Sequence, residues 1–239
     1  MFLSQLFEAI DKRHAAFAFG RMNPPTLGHG QLIDTVANAA AGGDYFVFVS
    51  QTQDKKKNPL DYATKIKFIK AMFPAHAGHI VQDAQLKTIM QIAHWLYKKG
   101  YRSVTFVAGS DRIEGFTELL NKYNGNGQEG DAGYYKFDTI NVVSSGDRDP
   151  DADGLAGVSA TAARAAAAAG NLAAFAQATG AGELAKPLYT AVRQGMLAES
   201  SGYIPKNKKE AKDPRWSTAL TVDVHSDTPK KNMKALGLI

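Results

Sequence analysis

Four short stretches of this chain hold residues whose types and spacing could do chemistry. The first is Gly20-Arg21-Met22-Asn23-Pro24-Pro25-Thr26-Leu27-Gly28-His29. Small and apolar residues, Ala15 to Phe19, precede it, and an amphipathic segment begins near Gly28. The pattern predicts a strand, a tight loop and a helix start. Gly20 lets backbone approach a ligand, Pro24 and Pro25 stiffen the loop, and Gly28-His29 sets an imidazole on a first helical turn whose N–H groups attract phosphate. The plain alternative is a solvated loop with a helix-capping histidine. The second stretch, Val158-Ser159-Ala160-Thr161-Ala162-Ala163-Arg164, opens a late helix. There Ser159 or Thr161 can cap the helix and donate to a phosphate oxygen, while Arg164 offers a planar fork to phosphates. The third follows a strand over Tyr45 to Ser50 and contains Lys55-Lys56-Lys57-Asn58-Pro59. A lysine triplet in a loop is either a solvated face or a phosphate contact. In the fourth, the apolar run Val104 to Ala108 enters Gly109-Ser110-Asp111 and then a helix. Doubly wound sheets present a ligand edge in this way at their carboxyl ends, and an ordinary cap by Ser110 or Asp111 is the alternative.

Thr26-Leu27-Gly28-His29 resembles the (H/T)-x-G-H signature of the nucleotidyltransferase superfamily, and Val158 to Arg164 resembles its second signature, I-S-x-T-x-x-R. The branch most similar is the archaeal-type nicotinamide mononucleotide adenylyltransferases, in which a Gly-Arg pair, here Gly20-Arg21, closes the first strand and a proline, here Pro24, precedes the motif. That resemblance implies that His29 contacts the triphosphate and stabilises charge on the α-phosphate. Thr26 takes the place of the family's first histidine, a variant that also occurs in the pantetheine-phosphate adenylyltransferase branch. Arg164 becomes the clamp on the leaving pyrophosphate, and Lys57 stands where the family has a basic phosphate contact. Gly109 and Asp111 resemble the Gly-x-Asp element that meets ribose or base in bacterial-type relatives. The resemblance also places Gly20, Arg21, Asn23, Gly28, Ser159 and Thr161 around the nucleotide. The activity implied is adenylyl transfer from ATP, with Mg²⁺, to a phosphate-bearing acceptor, nicotinamide mononucleotide leading. A cytidylyltransferase or another adenylyltransferase on this scaffold is the runner-up. A bacteriophage structural or nucleic-acid-binding protein that keeps the fold without turnover is the alternative of a different class.

These stretches must be positioned by regular elements, and the chain supplies them. Strands are expected over 15 to 19, 45 to 50, 103 to 108 and 139 to 144, and helices over 28 to 40, 61 to 72, 86 to 99, 111 to 123 and 159 to 169. Such βα alternation predicts an α/β class, a Rossmann-like doubly wound parallel sheet covered by helices. Leu86, Ile89, Met90, Ile92, Ala93 and Leu96 form a helical stripe that reads as core. Trp95 within it reads as packing, although relatives use an aromatic in this region to hold the nicotinamide ring. The alanine-rich stretch from Ala160 reads as helices joined at Gly170-Asn171.

Composition sets bounds. The 239 residues carry 28 Lys and Arg against 23 Asp and Glu, a net charge of +5 that suits polyphosphate ligands. The absence of cysteine excludes disulfides, thiolate metal sites and cysteine nucleophiles. His76 and His79 are three apart, but Pro74 and Gly78 argue against a helix presenting them to zinc. Asp147, Asp149, Asp151 and Asp153 alternate in what reads as a mobile acidic loop near Mg-nucleotide rather than a calcium loop. Met1 to Ala9 makes a poor signal peptide, and no apolar run is long enough to span a bilayer, so a soluble, cytoplasmic protein is expected, in the host cytoplasm if phage-encoded. Composition shifts near Ser200. We therefore expect a transferase domain over 1–199 and a basic extension over 200–239, the latter a strap over the domain or a neighbouring subunit, with nucleic acid a less favoured partner.

Overall fold

The computed structural model describes residues 13–146 and 158–197. Four parallel strands form the sheet: β1 (Arg13–Gly20), β2 (Asp44–Val49), β3 (Tyr101–Ala108) and β4 (Thr139–Ser144), in the order β2-β1-β3-β4. The helices are α1 (Leu27–Ala39), α2 (Tyr62–Met72), α3 (Ile89–Lys98), α4 (Ile113–Tyr123), α5 (Ala160–Ala168), α6 (Leu172–Thr179) and α7 (Ala185–Leu197). The α/β, Rossmann-like, doubly wound expectation is met.

Alternation along β1 explains how two layers of helices share one strand. Ala15 and Phe17 face a core with Phe48, Val104, Phe106 and the α3 residues Ile89, Ile92 and Leu96. Ala16 and Ala18 face the other side, with Val36 and Ala40 of the α1 segment. Alanine on that face lets α1 lie close to the sheet, as period-two side-chain alternation requires. Trp95 packs edge-on against Phe46 and Phe48 of β2, with ring centroids 5.3 and 5.7 Å away.

The strand order decides where a ligand can sit. After β1 the chain places β2 on one side and then crosses to place β3 on the other. Open sheets bind ligands outside the strand carboxyl ends where the winding direction reverses, here between β1 and β3. The register runs Phe17 against Phe106, so continuing it sets Gly109 level with Gly20. Both glycine-led loops therefore leave the sheet at one edge.

Three differences from expectation have a local cause. The helix expected from 86 starts at Ile89 because Thr88 and Gln91 form a reciprocal cap: the Gln91 N–H donates to Thr88 Oγ1, and Gln91 Oε1 accepts from the Lys87 and Thr88 N–H groups. The helix expected from 111 opens with a 3₁₀ turn over Ser110–Arg112 and becomes α-helical at Ile113. Neither Ser110 nor Asp111 makes a capping hydrogen bond there. His76 and His79, expected off any helix, lie in a 3₁₀ helix, Pro74–His79. Proline is tolerated at its first turn because no helical N–H is needed there. Both imidazoles pack on Tyr45, His76 on its hydroxyl at 2.9 Å and His79 stacked on its ring at 3.6 Å.

The acidic loop around Asp147 to Asp153 and the extension from 200 lie outside the described residues. Among the described residues no helix is long and apolar enough to cross a membrane.

Candidate active site at the carboxyl edge of the sheet

The site grows from the end of β1. Ser50 N–H donates to Gly20 O at 2.8 Å, the last rung joining β1 to β2. Met22 then turns into the left-handed region, φ 44°, with its side chain buried. An unbranched residue tolerates that conformation at modest cost, and the turn redirects the chain toward α1. Asn23 is only 2 % exposed. Its Nδ2 donates to Leu60 O and its Oδ1 accepts from Leu60 N–H, each at 3.0 Å. The Asn23 side chain, expected at the nucleotide, thus has both polar atoms tied to Leu60 in the loop after β2. The Asn23–Pro24 peptide is cis, and Pro24 and Pro25 are buried.

Thr26 is the N-cap of α1, extended at φ −141°, ψ 164°. Its backbone N–H donates to His29 Nδ1 at 3.0 Å, and its Oγ1 lies 2.9 Å from the same nitrogen. Because a backbone N–H can only donate, Nδ1 must accept, and a neutral His29 carries its proton on Nε2. The ring is therefore both oriented and fixed in tautomer by the residue three positions earlier. The first turn of α1 holds no acidic side chain, so the positive end of the helix is not neutralised from within. A methyl group on Gly28 would meet only Thr26 Oγ1, at an ordinary 3.7 Å. The chain's own packing does not require glycine there.

Arg164 arrives from the far end of the domain. Ser159 caps α5 by accepting from the Ala162 N–H at 3.3 Å. One turn on, Arg164 Nη1 donates to Asn23 O at 2.8 Å and Nη2 donates to Thr161 Oγ1 at 3.1 Å. Burial, and then the like charge of Arg21, lower the Arg164 pKa, with Asp54 opposing. Arg21 itself is exposed. The like charge of Arg21 on Arg164 is one that a bound anion would relieve. Leu27 adds a second tie: Gly180, at φ 64° after α6, leaves the space that the Leu27 side chain fills, since a Cβ there would fall 2.4 Å from Leu27 Cδ1.

The lysine loop is built around Asp54. Its carboxylate accepts from the backbone N–H groups of Lys56 and Lys57 and from Asn58 Nδ2. Burial raises the Asp54 pKa, but these donors outweigh it and hold the carboxyl below its usual range. The turn presents three exposed lysines. A cleft of about 510 Å³ separates it from α5 and α7, lined by Lys55, Lys56, Thr161, Arg164 and the apolar Ala165, Ala168 and Met196. Lys57, the lysine expected at phosphate, is not in that lining; its neighbours are.

The structure thus brings together Gly20, Arg21, Asn23, Thr26, Gly28, His29, Thr161 and Arg164, with Ser159 as the cap that starts α5. Gly109 and Asp111 reach the same edge through the sheet register, and the exposed Asp111 pairs with Arg112 at 3.6 Å. The residue missed from sequence is Lys65, fully buried on the apolar face of α2, where Nζ donates to Ser50 O and, at 3.5 Å, to Arg21 O. Its signal was available: a lysine inside the stripe Ile66, Phe68, Ile69 breaks the apolar face of an amphipathic helix.

No curated protein sequence matches this one. Among solved structures, one from Vibrio parahaemolyticus named as a nicotinate-nucleotide adenylyltransferase is similar at 16 % identity and a TM-score of 0.49, over 74 % of this chain and 98 % of that one. The family model for cytidylyltransferase-like proteins matches residues 17–148. That span takes in the Thr26–His29 motif, the lysine loop and the Gly109 turn, whereas Ser159 to Arg164 lies beyond it and joins the site through the fold. On the match over more than half its length, the chain belongs to the cytidylyltransferase-like family, within the nucleotidyltransferases.

Proposed function

We propose that this nucleotidyltransferase moves AMP from ATP to a phosphate-bearing acceptor, nicotinamide mononucleotide first among candidates, in a step that would serve dinucleotide synthesis. An acceptor phosphate oxygen attacks the α-phosphorus in line. The new P–O bond forms as the bond to the β-phosphate oxygen breaks, and pyrophosphate leaves with that electron pair. No protein nucleophile is needed; the chemistry asks for positioning and charge stabilisation. His29, in the tautomer set by Thr26, donates Nε2–H to an α-phosphate oxygen as charge develops there. Backbone N–H groups at the start of α1 add to that stabilisation. Arg164 and Arg21 neutralise the leaving pyrophosphate, with the lysine loop, in which Lys57 was the first candidate, flanking it. Gly28 lets the triphosphate pass close to backbone, and Gly109 and Asp111 stand at the nucleoside end. Mg²⁺ would enter with the triphosphate as part of the substrate, neutralising charge on its phosphates.

One observation carries this reading. Arg164 hydrogen-bonds the carbonyl of Asn23, three residues before the cap that orients His29. Donors for the two ends of a triphosphate therefore converge on one loop. The family description favours CTP as the second nucleotide. Pyrophosphate release across a matrix of nucleoside triphosphates and acceptor phosphates tests both. ATP with nicotinamide mononucleotide yielding a dinucleotide supports the proposal, whereas turnover with CTP alone selects cytidylyl transfer. Binding of nucleotide without any turnover would instead favour the non-catalytic alternative.

A further inference from the structure

Lys65 is a cation buried at a junction. It lies on the apolar face of α2 with Ile66, Phe68 and Ile69, at 0 % exposure. Burying an ammonium is costly unless strong hydrogen bonds offset the lost hydration. Its partners are the carbonyls of Ser50 and Arg21. They flank the final rung of the β1–β2 ladder, Ser50 N–H to Gly20 O: one is Ser50's own carbonyl and the other belongs to the residue after Gly20. Beyond the rung the strands part, one into the loop that leads to Thr26 and His29, the other into the Asp54–Asn58 turn. Backbone carbonyls at such a split lose their ladder partners while still shielded from water, and each needs a donor. Lys65 serves both. The Asn23–Leu60 pair of hydrogen bonds joins the same two loops farther out, so the split is held at two depths.

We propose that Lys65 is a positioning residue for nucleotidyl transfer: its ammonium group fixes the separation of the β1 and β2 carboxyl ends and so sets the crevice for the triphosphate, acting through those carbonyls and not by touching substrate. This rests on the transfer reading of the same crevice. A displacement of reacting groups by about 1 Å can cost on the order of a hundredfold in rate, and these loops hold His29 and the lysine turn.

Lys65→Met keeps an unbranched side chain one atom shorter and removes the ammonium group, with its donors and charge. In this variant, backbone amide shifts should change in Arg21 to Thr26 and Ser50 to Asn58 and little elsewhere. KM for the triphosphate should rise roughly tenfold and kcat fall by more, with a smaller change in acceptor KM. The chain has no cysteine, which permits a rescue: Lys65→Cys, alkylated with bromoethylamine while unfolded and then refolded, restores an amine at nearly the same reach. Recovery of the loop shifts and of kcat supports the positioning role. Lost ATP affinity with unmoved loop amides would mean that Lys65 contacts nucleotide directly, and unchanged kinetics would mean that the lysine is merely tolerated; either overturns the proposal. Should neither variant fold, the wild-type Lys65 ¹⁵Nζ resonance decides: protected and insensitive to ATP supports it, a large shift on adding ATP overturns it. If the wild-type protein turns over no substrate pair, the transfer reading fails first, and the loop amides still report whether Lys65 sets the split.

Discussion

Arg164 donates to the backbone carbonyl of Asn23 at 2.8 Å across 141 residues of sequence. That bond gives the arginine a task before any ligand arrives: it holds the loop that leads to Thr26. Its other terminal nitrogen is engaged by Thr161 Oγ1, so the fork is pre-oriented rather than mobile.

Arg164→Lys separates these roles. A single ammonium cannot span Asn23 O and Thr161 Oγ1 in the geometry of the fork. The expected outcome is a loss of about 1.5–3 kcal/mol in ATP binding, typical of a hydrogen bond to a charged group, with a lower melting temperature and nearly unchanged affinity for the acceptor monophosphate. Separate calorimetric titrations of the two ligands check it. Equal ATP affinity in both proteins would remove Arg164 from the triphosphate site.

His29→Ala removes a donor aimed at charge that develops only in the transition state. We expect turnover to fall by about 3 kcal/mol in barrier, or on the order of a hundredfold or more, with ATP affinity changed far less. Thr26→Val keeps the backbone donor to Nδ1 and removes only the hydroxyl, so its loss should be smaller. Near-normal turnover in the alanine variant would sink the assignment of His29.

The lysine loop offers a comparison within three consecutive residues. Lys55 and Lys56 line the cleft beside Arg164, and Lys57 does not. The double change of Lys55 and Lys56 to Ala should therefore weaken triphosphate binding more than Lys57→Ala, and the difference should shrink as salt is raised. The opposite ranking would restore Lys57 as the phosphate contact.

Lys65 makes stability depend on alkaline pH. Burial pushes its ammonium down to about 8 from 10.5, with Asp61 opposing. Below about pH 8 the folded and unfolded chains both hold the proton, and folding bears the whole burial cost. Between about 8 and 10.5 the unfolded chain still holds a proton that the native state has released, so stability rises with pH through that window. The gain should be about 3 kcal/mol at most. Urea melts of the wild type and Lys65→Met at pH 7.5 and pH 10.5 isolate it: the wild type should gain on the variant, and parallel curves would argue against the depressed value.

A chain ending at Glu199 tests the reading of 200–239 as an appendage. All four proposed nucleotide-binding stretches lie upstream, so such a chain should melt cooperatively and keep transfer activity. Loss of a cooperative transition would place the extension in the core.

Sequence by itself determined the α/β class, the four strands and the motif loops, because those signals are local. Period-two and period-3.6 patterning, Pro24-Pro25 and the Thr26-x-Gly28-His29 spacing act within a few residues of one another. It also placed a helix start at Ser159 or Thr161, and the structure makes Ser159 the cap. What needed the tertiary structure was every relation that spans the chain. Whether Asn23 faces nucleotide or Leu60 depends on the loop after β2, and the structure turns both of its polar atoms inward. Which two lysines of the three line the cleft follows from how the Asp54 carboxylate folds the turn and where α5 and α7 pack. Lys65 shows the limit best: its stripe marked it as out of place, yet its partners, two carbonyls from different strands, come together only where the parallel ladder ends and the backbone must find donors elsewhere.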